Sequence, residues 1–586
     1  MEFGIYAVIG IACMVAATGF SKKLGVAAPI LLVAAGVVIS YLPGVPEIEV
    51  PHDLVLDFLL PPILYAAAIS VPVVDFRRNI GTITSLSVVL VVATAFGVGF
   101  LLFTLLPDLN FAAAVALGAI ISPPDAVAAT SIGRRLGLPP RILTLLEGEG
   151  LVNDATALVL LRSATAIAAG GILTPWDGVI DFFYAVIIGI AVGLAAGFAT
   201  VFVRSKLNDP VLDTAVSLAV PFIAFMPSEG LGASGVLAVV VAGLYTGHRG
   251  PNVFAAQARI SDRINWRTVQ FLLENGVFLV IGLEIRTLVD AANEPNSPGF
   301  TAAGAISIGL IATGALILLR FLWVGPMVLL VQRRAQHRER ETYRMRLALD
   351  VALNTPRPGE PARSRGNWNA RRRARAERGY ERMRADLTQL RREGIDWRGG
   401  IVISWSGMRG VVTLAAAQSL PDTTPYREQL ILIAFTVAVV TLVVQGGTLP
   451  ILIRVLGIQG VNEAEDRKEL AELLDEISFA GLTVLDDPEG AINSAENIDP
   501  DVIERVRQSS FLRAESAWER AQDLGAAHSD TPHHLYRQLR LAVVATERQK
   551  LLESRALGTY PSRILSQAQA MLDLEETRLR PPRADH

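Results

Sequence analysis

Cysteine is almost absent. Cys13 is the only one and lies in an apolar run, so the chain has no disulfide framework and no thiolate metal site. Histidine is scarce too, with seven residues and none inside a long apolar run. Without a Ser-His pair in those runs, an intramembrane hydrolase is disfavoured. No phosphate-binding Gly-rich loop ending in Lys-Ser/Thr occurs, which argues against an ATP-driven pump. The opening "MEFGIYAVIGIACMVAATGF" has no basic residue before its apolar stretch, and the lysines of "SKKLG" come after it. That is the reverse of a cleavable signal, and it reads as a first spanning helix with its N-terminus outside.

Apolar residues are plentiful. They make up 51% of the 586 residues, with a mean hydropathy of +0.41 and 49 glycines that suit closely packed membrane helices. A bilayer core takes about 20 apolar residues as a helix. Thirteen spans are expected, at roughly 4–20, 26–42, 54–70, 84–106, 111–130, 142–169, 179–203, 210–228, 231–247, 267–287, 301–331, 400–419 and 428–455. The divisions near 228–231 and 419–428 rest on the least sequence. Basic residues test the order. Lys22, Lys23, Arg77, Arg78, Arg134, Arg135, Arg141, Arg204, Lys206, Arg249, Arg259 and Arg263 all fall in odd-to-even connections, whereas the opposite loops hold Arg286, Arg427 and little else. This positive-inside pattern puts the odd-to-even loops and the C-terminus in the cytoplasm.

Two parts leave the membrane. Residues 332–398 hold 19 arginines, no lysine and nine acids, a surplus of ten positive charges. Their centre, "NTPRPGEPARSRGNWNARRR", has too few apolar residues for a core and reads as disordered, with a charged helix after it. Residues 460–586 carry 15 basic and 24 acidic residues, a surplus of nine negative charges. In "RQLRLAVVATERQKLLESRAL", Leu541, Val544, Ala545, Leu551 and Leu552 recur at helical spacing, so the tail reads as a soluble helical appendage. The basic loop and acidic tail share the cytoplasmic face. They are expected to attract each other, or the loop to hold anionic lipid; the alternative is a topology signal beside a solvated tail.

The chemistry lies in the spans. "ISPPDAVAAT" carries Asp125 in the fifth span, and "LEGEGLVNDATALVL" carries Glu149 and Asp154 in the sixth. An acid at the bilayer centre costs about 2.5–3.5 kcal/mol on insertion scales and commonly marks an ion or proton path. The alternative is a satisfied structural acid. Pro123 and Pro124 break the fifth span, and "SWSGMRGVV" breaks the twelfth with Gly407, Gly410 and Arg409. Broken helices at matching places in two halves point to an inverted-repeat transporter. Asp154, Asp125, the Asn153 amide, Ser122 and the Pro124 carbonyl make a hard-oxygen site suited to an alkali cation such as Na⁺ rather than a transition metal. Glu149 is five residues before Asp154, so the two point to opposed sides of one helix. Arg320, deep in "LILLRFLWV", needs an anion, and pairing it with Glu149 gives a framework ion pair. Gly189, Gly193 and Gly197 form a small-residue face, for packing within one subunit or for a dimer contact. Glu274 either lines a cytoplasmic funnel or is a solvated helix-end acid. His528, His533 and His534 in the tail read as solvated surface, with pH sensing as the alternative.

"SPPDAVAA", "EGEGLVNDATALV", "GMRGVVTLAAA", "FLLPPILYAAAI" and "NWRTVQFLLENGVFLVIGLEI" resemble the signature segments of the monovalent cation/proton antiporter-1 family, the NhaP-type Na⁺/H⁺ antiporters of bacteria and their animal exchanger relatives. The resemblance covers about residues 5–456. It implies an all-α polytopic homodimer with inverted six-helix repeats, N-terminus outside, in the cell membrane. It assigns 1–83 (spans 1–3) and 170–299 (spans 7–10) to a dimer domain. The moving core would be 84–169 (spans 4–6), 300–331 (span 11) and 399–456 (spans 12–13). The remainder is the cytoplasmic loop 332–398 and a helical cytoplasmic tail, 457–586, read as regulatory. Asn153-Asp154 matches the family's Asn-Asp motif and Asp125 its second acid. Glu149 with Arg320 matches its buried ion pair, and Arg409 its arginine at the second break. Many prokaryotic relatives have Ser at Gly150, Thr at Pro124 and Glu at Ala66, so the choice among Na⁺, Li⁺ and K⁺ stays open.

Exchange of Na⁺ or Li⁺ for H⁺, electroneutral and in service of pH homeostasis, is the expected function. No enzyme activity, cofactor or nucleic-acid partner is expected. A K⁺/H⁺ antiporter is the alternative within the class. A cation channel or a membrane-anchored sensor is the alternative outside it, and a sensor would not need Asp125 and Asp154 in the membrane.

Overall fold

Helical structure follows from the apolar runs, their capping residues and their prolines. The computed structural model describes residues 2–24, 27–43, 51, 53–168, 175–207, 209–292, 300–354, 395–421, 423–458, 463–486, 500–508, 532–557 and short stretches between 568 and 579. The chain divides into two units, Met1–Ile458 and Gln459–His586.

In the first unit the helices are α1 (Glu2–Leu24), α2 (Ala28–Ser40), α3 (Leu54–Ser70), α4 (Val73–Leu105), α5 (Phe111–Ile121), α6 (Ala126–Arg135), α7 (Pro140–Ala168), α8 (Pro175–Arg204) and α9 (Pro210–Gly230). They continue with α10 (Gly235–Val253), α11 (Ala256–Ala292), α12 (Ala302–Asn354), α13 (Trp397–Trp405), α14 (Val411–Gln418) and α15 (Arg427–Leu456). Among the described residues, eight helices are long and apolar enough to cross a membrane, counting the α5–α6 stretch as one, and Val8–Ser21, Ala28–Ser40 and Leu54–Ser70 are shorter apolar helices. The second unit contains α16 (Glu463–Leu482) and α17 (Pro532–Leu557), in line with the helical spacing of the tail.

Side chains fix several starts. Asn110 accepts the Ala113 N–H ahead of α5 (2.7 Å), Asp209 that of Val211 ahead of α9 (2.7 Å), and Asp396 that of Gly399 ahead of α13 (2.8 Å). Both divisions expected on least sequence are present. Gly232, with φ +70°, turns the chain between α9 and α10, and Tyr426, with φ 61°, turns it into α15. α3 and α4 each contain a π-helical stretch, Leu54–Leu59 and Ser85–Leu90.

Three sequence expectations change. α4 begins at Val73, because an amphipathic segment precedes the apolar run. α12 runs on to Asn354 instead of ending near 331, since nothing in its polar extension breaks a helix. The centre of the basic loop, 355–394, lies outside the described residues. Arg204, counted above with the loop charges, is buried at the end of α8.

The packing forms two apolar clusters. One runs through α2, α4, α5, α7 and α12–α15 and takes in the later half of α11. The other joins α3, α8, α9 and α10 to Leu151 and Ala155 of α7 and Trp266 of α11. α7 therefore touches both. The glycine face on α8 is used within the chain: a Cβ on Gly193 would stand 2.4 Å from the Ala238 carbonyl, and Gly189 and Gly197 press on α10 in the same way. That closeness takes the face away from a dimer contact. Gly36 and Gly282 bring α2 and α11 equally close, with 2.3 Å between a Gly282 Cβ and the Val33 carbonyl.

Candidate functional site

The two broken helices meet. The N–H of Asp125 donates to the Met408 carbonyl at 2.6 Å, joining the break before α6 to the break before α14. Asp125 also caps α6, with Oδ1 accepting the Val127 N–H at 2.8 Å. A Cβ on Gly410 would lie 2.2 Å from Asp125 Oδ2, so the second break needs glycine where it passes the acid.

Arg409 joins the breaks from the other side. Its Nε donates to the Ile121 carbonyl at 2.9 Å, Nη2 to that of Ser122 at 3.3 Å, and Nη1 to that of Gly407. A buried guanidinium thus occupies carbonyls at the end of α5 and in the second break, where the partial charge is negative.

α7 brings the remaining groups. Asn153 is fully buried; its Nδ2 donates to the Pro124 carbonyl at 2.6 Å, and its Oδ1 accepts the Asp154 N–H at 2.7 Å. The amide thereby ties α7 to the proline break. Asp154 is half-buried, as is Asp125, and the two carboxylates lie within electrostatic reach of each other. One lone pair of the Pro124 carbonyl is already used by Asn153. Ser122 is buried, with its hydroxyl donating to the Val91 carbonyl of α4 at 3.0 Å, just past the π-helical stretch. Gly150 has a close-packing reason: a Cβ there would stand 2.6 Å from the Ala126 Cβ, so a side-chain oxygen at 150 has no room.

On the opposed side of α7, Glu149 and Arg320 form a buried two-point pair, Nη1–Oε1 2.5 Å and Nη2–Oε2 2.8 Å. Arg320 Nε donates to the Ile403 carbonyl at 3.1 Å, extending the pair to α13. Gly407 sits between Arg320 and Arg409, where a Cβ would meet Arg320 Cδ at 2.9 Å. Ala66 is buried in α3 and adds no acid.

Glu274 accepts a hydrogen bond from Gln270 at 2.7 Å and lies within electrostatic reach of Asp125. Residues 269–276 of α11 are half-buried, whereas Val277, Phe278, Leu279, Ile281, Gly282 and Glu284 are buried. Burial along α11 thus increases from the half that carries Glu274 to the half that carries Glu284. Three features escaped the sequence. Arg204 is held by Asp213 (2.7 and 2.8 Å) and Asp262 (3.3 Å). Gln418 of α14 donates to Glu284 of α11 at 3.1 Å, and Arg162 of α7 pairs with Glu229 of α9. Only the unusual placing of charged residues at helix ends could have hinted at them.

Residues 9–455 match the family described as "Sodium/hydrogen exchanger, transmembrane". A Mycobacterium tuberculosis protein named as a Na⁺/H⁺ exchanger is 28% identical over 593 residues, covering 99% of this chain and 97% of that protein. A Bacillus subtilis protein named a sodium, potassium, lithium and rubidium/H⁺ antiporter is 26% identical, over 72% of this chain and 57% of its own length. Among solved structures, the sodium proton antiporter MjNhaP1 of Methanocaldococcus jannaschii, at pH 8, superposes with a TM-score of 0.54 at 15% identity, covering 78% of this chain and all of that one. The fold is that of a multi-pass membrane transporter. The chain belongs to the sodium/hydrogen exchanger family.

Proposed function

We propose that this protein exchanges one Na⁺ or Li⁺ for one H⁺ across the cell membrane, by alternating access around Asp154 and Asp125. The carrying observation is Asp125 at the junction of the paired helix breaks, bonded to Met408 across them, with half-buried Asp154 of α7 within its electrostatic reach. Unwound backbone at membrane depth suits a cavity that strips and holds a cation. A carboxylate there holds either a proton or a cation, so the two exclude each other and exchange follows.

Spans 1–3 and 7–10 form the fixed dimer domain, and the segments 84–169, 300–331 and 399–456 move as one body. We place thirteen spans in inverted repeats, the N-terminus outside and the tail in the cytoplasm, in a homodimer; the positive-inside pattern supports that orientation. Glu274 lines the cytoplasmic approach. The Arg-rich stretch 332–398 faces anionic lipid on the same side.

Charge counting supports electroneutrality. Asn153 cannot titrate, so Asp154 is the single proton carrier of the Asn-Asp pair, and Asp125 keeps one protonation state through the cycle. A K⁺/H⁺ antiporter is the second reading. It draws on the Bacillus subtilis relative, whose name includes potassium beside sodium and lithium, and on Gly150, which leaves the site without a side-chain oxygen there.

The test is purified protein in liposomes, with a pH dye and Na⁺, Li⁺ and K⁺ offered in turn. Exchange of Na⁺ and Li⁺ at a rate independent of an imposed membrane potential is expected. The potential is set with a K⁺-free clamp as control, because K⁺ is itself a candidate substrate. Steep acceleration by the potential refutes one-for-one exchange, and preference for K⁺ selects the second reading.

A further inference from the structure

Among the described residues, two buried polar side chains near the second break have no hydrogen-bond partner. Gln445 of α15 is 0% exposed, and neither its Nε2 nor its Oε1 is bonded. The Ser406 hydroxyl, in a residue 2% exposed, is likewise unbonded. Buried polar groups in native proteins are almost always paired, and an apolar residue of similar size would avoid the cost of leaving them unpaired.

The two belong to facing segments. Thr441, Gln445 and Thr448 recur on one face of α15, at helical spacing. Thr441 Oγ1 accepts the Arg409 N–H at 3.0 Å, and Thr448 Oγ1 accepts Trp405 Nε1–H at 2.9 Å. Both threonines donate their own protons back to α15, to Val437 at 2.8 Å and Val444 at 2.5 Å. Gln445 lies between these two contacts along α15, and their partners, Trp405 and Arg409, bracket Ser406 in the chain. Met408 packs against the next position of α15, its sulfur 3.1 Å from where a Cβ on Gly446 would be.

The chemistry of the surroundings selects the ligand. Gln445 offers two donors and an acceptor, and Ser406 offers a donor and acceptor. Arg320 and Arg409 donate to the Ile403 and Gly407 carbonyls on either side, so a cation is repelled. Ser406 lies at the C-terminal end of α13, whose dipole disfavours an anion. A neutral molecule that both donates and accepts remains, and water is the small one always present.

We propose that Ser406 and Gln445 bind internal water that fixes the 406–410 turn, and with it the backbone of Asp125. The link to Asp125 is short. The Met408 carbonyl takes the Asp125 N–H, and Gly410 lies against the Asp125 carboxylate. Ser406 and Gln445 are then positioning residues for the ion site. Their effect on transport rests on the exchange reading above, whereas their effect on hydration and stability does not.

The experiment combines an experimental structure resolved well enough to show ordered water with variants of the full chain. Density is expected within hydrogen-bond reach of both the Gln445 amide and Ser406 Oγ. Gln445→Met and Ser406→Ala should each lower the melting temperature, and the double variant should lose less than the sum of the two. In liposomes each single variant should raise the apparent Km for the cation by about tenfold, the scale typical of a group that orients an ion ligand. Ser406→Thr, which keeps the hydroxyl, should stay near the parent.

Absence of density, or single variants that melt higher than the parent, overturns the hydration site, because removing a group that is simply unpaired relieves a cost. Density and lowered melting with an unchanged cation Km overturns the positioning link. A parent protein that exchanges no cation for protons, yet shows the density and the melting losses, sinks the exchange reading and leaves the hydration site standing.

Discussion

Asp154→Asn should keep the fold and lose exchange. An amide of the same size preserves the packing of α7, and it can neither release a proton nor balance a cation. Asp125→Asn should weaken or abolish exchange, and because the two acids interact, apparent pKa values belong to the pair until each variant is measured. Dye-reported exchange in liposomes, with melting temperature as the folding control, checks both; an Asp154→Asn protein that still exchanges would refute the mechanism. These acids were legible in the sequence because a charge in an apolar run is costly and therefore conspicuous. Asn153 was legible only as a neighbour of Asp154. Its tie to the Pro124 carbonyl depends on two segments 29 residues apart coming together. Gly150 was read as a missing oxygen ligand. Its contact with Ala126 shows a packing reason, which no single segment could reveal.

At the scale of elements, Glu149 and Arg320 join α7 to α12, and Arg320 reaches on to α13. Removing one partner of a buried pair leaves an uncompensated charge and typically costs about 3–5 kcal/mol. Arg320→Leu should therefore melt well below the parent. Glu149→Leu combined with Arg320→Leu should recover part of that loss, because no buried charge is stranded. Equal melting temperatures for the parent, single and double variants would remove the pair from the framework. The helix breaks were legible from Pro123-Pro124 and from Gly407 and Gly410, since proline and glycine act on the backbone locally. The π-helical stretches in α3 and α4 carried no such sign, and α12 overran its expected end because polarity marks where an apolar run stops, not where a helix does.

Across the whole molecule, polar contacts tie the two proposed bodies at one end. Gln418 of α14 donates to Glu284 of α11, and Arg162 of α7 pairs with Glu229 of α9, which also accepts the Gly235 N–H at 2.9 Å. Arg427 holds the Gln418 carbonyl at 2.8 Å, keeping the end of α14 in place. In the proposed orientation these helix ends face outward, and the half-buried first half of α11 faces the cytoplasm. The conformation is then inward-facing, with an outer closure that each transport cycle must open. The buried Glu284 contact is worth about 1 kcal/mol net and the more exposed Arg162–Glu229 pair about 0.5 kcal/mol. Losing both should shift the balance toward the outward-facing form by about tenfold. A cysteine at Leu158, one turn beyond Asp154 on α7, reports this in a Cys13→Ser background. Glu229→Ala with Glu284→Ala should speed its labelling by a membrane-impermeant maleimide added outside by about the same factor. Labelling that stays at the parent rate, in a double variant that folds, would show that these contacts do not hold the outer side shut.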